Sequence, residues 1–257
     1  MVSRYSQNCI SYVMSLIDYI DKRTANVIGI YGHLGGGKTL TAVDLSLGFL
    51  KLGWSVTTNI NIFIDKAHQC QYSYIEDIFD VDPWTFPVGA PRGSNDPFRS
   101  VIVIDEVAEF FDQYSYSSPL AKRFLSWLRH SSKRGQFVFL IVQHPDFLNG
   151  NLRKLVHKWI ICDDMEQFRL PVLKIKIPFW RDYVARRLFD KLGNLLSRGL
   201  NFVRKSDIGR YYDTAQSIAV EGRNTTYTSY VVPTVYDYTV VIYVVLVLIN
   251  IILLFVV

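Results

Sequence analysis

Cysteine is nearly missing from this 257-residue chain, and what remains is unpatterned. Cys9, Cys70 and Cys162 are odd in number and widely scattered, with no CxxC pair and no metal-ligand spacing. That excludes a disulfide framework and a zinc module, and it fits a reduced cytosolic compartment. The chain also lacks internal repeats and extended low-complexity tracts, so a solenoid is not indicated. At the N-terminus no unbroken apolar run of signal-peptide type exists. Ile10, Val13, Met14, Ile17 and Ile20 follow helical spacing, but Asp18, Asp21, Lys22 and Arg23 interrupt them. Residues 1–26 therefore read as a short amphipathic helix rather than a cleaved secretion signal. Charge is only modestly unbalanced, at +5 with a pI near 9.0. Such an excess is compatible with nucleic acid or an anionic membrane surface and establishes neither.

Against this background one motif stands out. Gly32-His33-Leu34-Gly35-Gly36-Gly37-Lys38-Thr39 matches GxxxxGK[ST], the nucleotide-triphosphate loop. Before it, Val27–Tyr31 reads as a buried strand; after it, Leu40–Leu50 carries apolar residues at helical period. Strand, glycine turn and helix in that order are the context this motif requires. The glycines let backbone amides wrap a phosphate without obstruction, and the helix N-terminus that continues through Leu40 adds a favourable dipole. Lys38 would reach the β- and γ-phosphates, and the Thr39 hydroxyl would ligate Mg²⁺.

The partner of that loop is an apolar run, Ser100–Ile104, ending in Asp105-Glu106. A carboxylate at a strand's carboxyl end can hold magnesium directly or through water, the role expected of Asp105. The next carboxylate, Glu106, can polarise the water that attacks the γ-phosphate. Gln143, closing the apolar run Phe137–Val142, would contact the γ-phosphate or that water; an ordinary strand-terminal glutamine is the alternative. Arg129, ahead of Arg134, is the candidate charge-stabilising finger for a neighbouring subunit's nucleotide, with a solvated basic face or a DNA contact as alternatives. No Asn-Lys-x-Asp guanine-reading motif is present, so ATP is favoured over GTP.

Further strands are expected at Trp54–Ile60 and Val156–Cys162, and a polar helix at Pro119–Lys133 ending at Gly135. The stretch 61–86 is mixed, and 87–97 is a loop by composition. Alternation of apolar strands with helices implies an α/β fold, a P-loop NTPase with a mostly parallel sheet covered on both faces. Residues 27–170 would form that ATPase domain and 171–237 a basic amphipathic linker. Lys174–Arg210 holds ten Lys/Arg against three Asp/Glu, with Trp180, Val184, Leu188, Leu192, Leu195, Leu196 and Leu200 on one helical face. That helix would lie on a bilayer, pack on the core, or contact DNA.

Near the C-terminus the composition changes abruptly. Thr239–Val257 runs 19 residues without a charge. As a helix it would extend about 28 Å, matching a bilayer core. Residues 238–257 are thus expected to be a transmembrane helix.

Taken in series, these motifs resemble the zonula occludens toxin family, whose main members are filamentous-phage assembly ATPases of the host inner membrane. GHLGGGKT (32–39), VIVIDE (101–106), FLSWLRHSSKRG (124–135), FVFLIVQ (137–143), Tyr212-Asp213-Thr214 and the late apolar span carry the resemblance, which covers residues 27–257. It implies an FtsK–HerA-like P-loop fold, ATP and Mg²⁺ as cofactors, and nucleotide roles for Lys38, Thr39, Asp105, Glu106 and Gln143. It also implies a homo-oligomeric ring in the host cytoplasmic membrane, single-pass with its N-terminal domain cytoplasmic. Such a ring would drive single-stranded phage DNA and coat subunits outward. Two departures qualify it: an added segment precedes the first core strand, and no domain follows the span, so an outer-membrane channel is not expected as a partner. A packaging motor of FtsK–HerA type and a nucleotide-switched membrane scaffold are the alternatives.

Overall fold

The structure, a computed structural model, describes residues 13–14, 16–17, 26–64, 69, 71–90, 99–111, 118–168, 180–196 and 201–212. The 238–257 span, most of 1–26 and the greater part of the 171–237 segment lie outside the described residues. Among the described residues no helix is long and apolar enough to cross a membrane. Val13, Met14, Leu16 and Ile17 are helical, with Val13 and Leu16 in the core and Met14 exposed.

Among the described residues, eight strands form one sheet in the order β3-β2-β4-β5-β1-β6-β7-β8. They are β1 Val27–Tyr31, β2 Ser55–Thr58, β3 Tyr72–Tyr74, β4 Ser100–Ile104, β5 Gln136–Val142, β6 Lys158–Asp164, β7 Tyr183–Asp190 and β8 Asn201–Arg204. Pairing is parallel from β3 through β6 and antiparallel for β7 and β8. β4 and β5 are buried along their whole length, as the unbroken apolar runs in the sequence require of strands covered on both faces.

One face is covered by helix α1, Lys38–Lys51, which packs Leu40, Val43, Leu47 and Leu50 against Ile28, Ile30, Val101 and Phe139. The opposite face carries α2, Val107–Phe110, α3, Pro119–His130, and α4, Gly150–Leu155. α3 starts at an N-cap where Ser118 Oγ accepts from the Ala121 amide at 3.0 Å, followed by Pro119. Expected as a polar helix, α3 is instead amphipathic. Ala121, Phe124, Leu125, Trp127 and Leu128 are buried against the sheet, and a 3₁₀ turn at Ser131–Arg134 leads to Gly135 in the left-handed region.

The region after residue 170 needs correction. Where a helix was expected across Val184 and Leu188, the chain forms strand β7, and the sheet continues through β8. The spacing explains the error. Residues 180, 184, 188 and 192 lie four apart, which satisfies a helix and, being even, also one face of a strand. Val184, Arg186 and Leu188 share that face and are all buried. Arg186 pairs with Asp44 of α1 at 2.5 Å. The sheet thus continues beyond residue 170.

Candidate nucleotide-binding site

The glycine loop sits at the carboxyl end of β1 and enters α1 at Lys38. Gly36 N donates to His33 O at 2.8 Å, and Thr41 N to Gly37 O at 2.9 Å, so a tight turn passes directly into the helix. No acidic residue occupies the first turn of this 14-residue helix, leaving its amides to an external anion. Gly35 and Leu34 form the exposed tip. Two glycines are required by packing. A Cβ on Gly32 would lie 2.3 Å from Cys162 O, and one on Gly37, at φ +85°, would lie 2.4 Å from Val184 Cγ2. β6 and β7 therefore form the wall against which the loop is pressed.

Lys38 Nζ donates to the carbonyls of Gly32 at 3.1 Å and His33 at 3.0 Å, holding its ammonium across the loop. Burial lowers its pKa, opposed by the charges of Asp105, Cys162 and Glu106. Thr39 Oγ1 donates to Asp105 Oδ2 at 2.7 Å, although 66 residues separate them. The two halves expected from sequence are thus joined in space. Between their strands lies β5, which places Gln143, immediately after it, at the same end of the sheet with its side chain exposed.

Asp105 is fixed from several directions. Its backbone N–H donates to Asn59 Oδ1 at 2.7 Å, and its carbonyl accepts from Asn59 Nδ2 at 3.1 Å. Its Oδ1 accepts from the Glu106 amide at 2.8 Å. Burial raises the carboxyl's pKa, with the Thr39 hydrogen bond opposing. A magnesium ion fits this donor set. Hydroxyl and carboxylate are hard oxygen ligands side by side, and a partly buried carboxylate gains from a cation.

Glu106 has φ 52° and ψ 39°, alone among the described non-glycine residues in a positive φ. The left-handed region costs an ordinary residue on the order of 1–2 kcal/mol, and such strain concentrates at functional sites. Burial, with the hydrogen bond and charge of Glu109, pushes its carboxyl up to about 7, while Lys38 opposes.

Arg129 is not brought to this site. β5 spans seven residues between the α3 terminus and Gln143, so Arg129 sits about 20 Å away at the amino ends of the strands. Arg134 at that same end donates to the carbonyls of Trp84 at 2.9 Å and Phe86 at 3.2 Å. Neither arginine can act on its own chain's nucleotide, and Arg134 is committed to the fold. Sequence reasoning missed Asn59, whose only signal is a polar residue closing an apolar strand, and Val184 and Arg186, hidden by the even spacing.

The family described as Zonular occludens toxin (Zot) matches residues 27–181. The Gene 1 protein of Enterobacteria phage I2-2 is 26% identical over 156 residues, covering 56% of this chain and 42% of the phage protein. That of Salmonella phage IKe is 24% identical over 156 residues, with the same coverage, 56% and 42%. The aligned region is thus under half the length of these phage relatives. Among solved structures, the N-terminal domain of zonular occludens toxin from Neisseria meningitidis aligns at TM-score 0.44 and 17% identity, covering 74% of this chain and 99% of that one. The genome packaging NTPase B204 of Sulfolobus turreted icosahedral virus 2, in complex with ATP-gammaS, aligns at 0.41 and 14%, covering 66% and 95%.

Proposed function

The chain belongs to the zonular occludens toxin family, and from that premise we propose that it is a P-loop ATPase of filamentous-phage assembly. The observation that carries the reading is the Thr39–Asp105 hydrogen bond of 2.7 Å, which brings the loop and the acidic strand end together beside the Lys38 ammonium. The loop amides would hold the β-phosphate. Lys38 would exchange its two carbonyls for phosphate oxygens and carry positive charge onto the transferring group. Thr39 and Asp105 would hold magnesium, which when bound supplies charge neutralisation across the β- and γ-phosphates. Glu106, whose carboxyl burial holds near neutrality, is suited to accept a proton from the attacking water. Glu106→Gln should therefore keep ATP binding within about threefold and lose at least about 10²-fold in turnover. Comparable loss of binding and turnover would remove the base role.

The finer reading is a membrane-anchored homo-oligomer that moves single-stranded DNA and coat subunits outward through the host cytoplasmic membrane. The phage proteins it resembles and the uncharged run Thr239–Val257 support it. ATP turnover of the full chain in detergent, measured alone, with single-stranded DNA and with duplex DNA, tests it. Selective stimulation by single strands is expected; stimulation by duplex alone would point to packaging, and binding without turnover to a scaffold. A chain ending at Asp237 is expected in the supernatant after membrane sedimentation with turnover retained, and the full chain in the pellet. Equal partitioning of both would remove the anchor.

A further inference from the structure

β3 is an edge strand, bonded to β2 on one side and, among the described residues, to no strand on the other. Beside it opens a cavity of about 650 Å³ whose lining includes Thr57, Ser73, Tyr74, Glu76, Asp77 and Asp80. Thr57 and Ser73 are register partners across β2 and β3. Val56 packs in the α1 cluster, so its neighbour Thr57 belongs to the opposite face of the sheet, the face of the cavity.

The cavity carries charge of one sign. Glu76, Asp77 and Asp80 are exposed, and no Lys or Arg is on the lining. Among the described residues no ion pair engages these three carboxylates. Thr57 is only 2% exposed, and its hydroxyl has no hydrogen-bond partner among the described residues. A buried hydroxyl left unpaired is costly, and a polar group brought from outside would complete it.

A free strand edge beside an acidic cavity suits an extended, basic polypeptide. Backbone bonds would go to the strand and cationic side chains to the carboxylates. This chain contains such a segment. Val172-Leu173-Lys174-Ile175-Lys176-Ile177 alternates apolar and basic residues at the period of a strand, bracketed by Pro171 and Pro178. It lies outside the described residues, but the chain on either side is fixed by β6, ending at Asp164, and β7, starting at Tyr183.

That connection rules out β3 of the same chain. Ile177 is six residues from Tyr183, a reach of at most about 20 Å at roughly 3.4 Å per residue. β3 stands six strand positions from β7, about 29 Å at roughly 4.8 Å each. Only a second copy can lay this segment along β3. The two surfaces sit toward opposite edges of the sheet, both at the carboxyl ends of its parallel strands. A contact between them is head to tail, the kind that closes into rings.

We infer that residues 172–177 of one copy add to the β3 edge of the next, with Lys174 and Lys176 facing the carboxylates of Glu76, Asp77 and Asp80. The contact presupposes the homo-oligomer reading above and supplies the two surfaces through which its copies meet.

The test is the mass of the full chain in detergent, followed by light scattering over a range of concentrations. One variant combines Glu76→Lys, Asp77→Lys and Asp80→Lys, a second combines Lys174→Glu and Lys176→Glu, and a third carries all five. Each reversal alone should raise the dissociation constant of the oligomer at least about 10-fold, because like charges then face each other. The five-fold variant should return to within about 3-fold of the unsubstituted chain, with the charges again complementary. A variant that merely misfolded would not regain the oligomer when the second reversal is added. An oligomer unchanged by either reversal, or a dissociation that the combination does not rescue, overturns the contact and leaves the homo-oligomer standing. An unsubstituted chain that stays monomeric at every concentration overturns the homo-oligomer reading, and this contact with it.

Discussion

Lys38→Ala is expected to lower ATP turnover by at least about 10²-fold, the scale of losing one preorganised charge-stabilising group, while leaving the fold in place. The ammonium is held by two loop carbonyls, Gly32 O and His33 O, and touches none of the core residues that α1 packs against the sheet. Its removal takes a positive charge from the site of developing negative charge and leaves the backbone amides where they were. Alanine also favours the first turn of a helix slightly more than lysine does. The melting midpoint should therefore move by no more than a few degrees while turnover collapses. Lys38→Arg should fail as well, because a planar fork cannot place a point charge between the same two carbonyls. Turnover within about threefold of the unsubstituted chain in Lys38→Ala would remove the site assignment altogether.

What could be read from the sequence follows a physical rule. The phosphate loop is a local object: strand, turn and helix are contiguous, and each glycine meets a requirement within or beside the loop. β4 and β5 were readable because strands covered on both faces must be apolar throughout. What escaped is non-local. Asn59 meets Asp105 across 46 positions, and Arg186 meets Asp44 across 142. β7 was misread because four-residue spacing belongs to both periods, and the deciding residue points the wrong way in composition. An arginine in a basic stretch suggests a solvated face, yet Arg186 is only 3% exposed.

Arg186 carries the other large expected effect. Its Nη1 pairs with Asp44 Oδ2 at 2.5 Å, with both side chains nearly inaccessible at 3% and 2%, and its Nε donates to Asn201 Oδ1 at 3.1 Å. The pair joins α1 to β7 and β8, so the helix that presents Lys38 and Thr39 is tied to the strand that walls Gly37. Taking two charges out of water is expensive, and their attraction roughly restores that cost; removing one partner leaves the other's desolvation uncompensated. Arg186→Met should thus destabilise the chain by about 3–5 kcal/mol, a fall in melting midpoint of roughly 6–20 °C for a domain of this size. Asp44→Leu should cost a similar amount. The double substitution should be less damaging than either single one, because an apolar pair of similar volume needs no compensation. Nucleotide affinity should weaken in the single variants and recover in the double one, since the position of α1 depends on the contact rather than on charge. Thermal unfolding and nucleotide titration of the three variants decide the matter. If the losses simply add, or each single variant costs under about 1 kcal/mol, well below the range for a broken buried pair, the ion pair does not hold the loop helix to the outer strands.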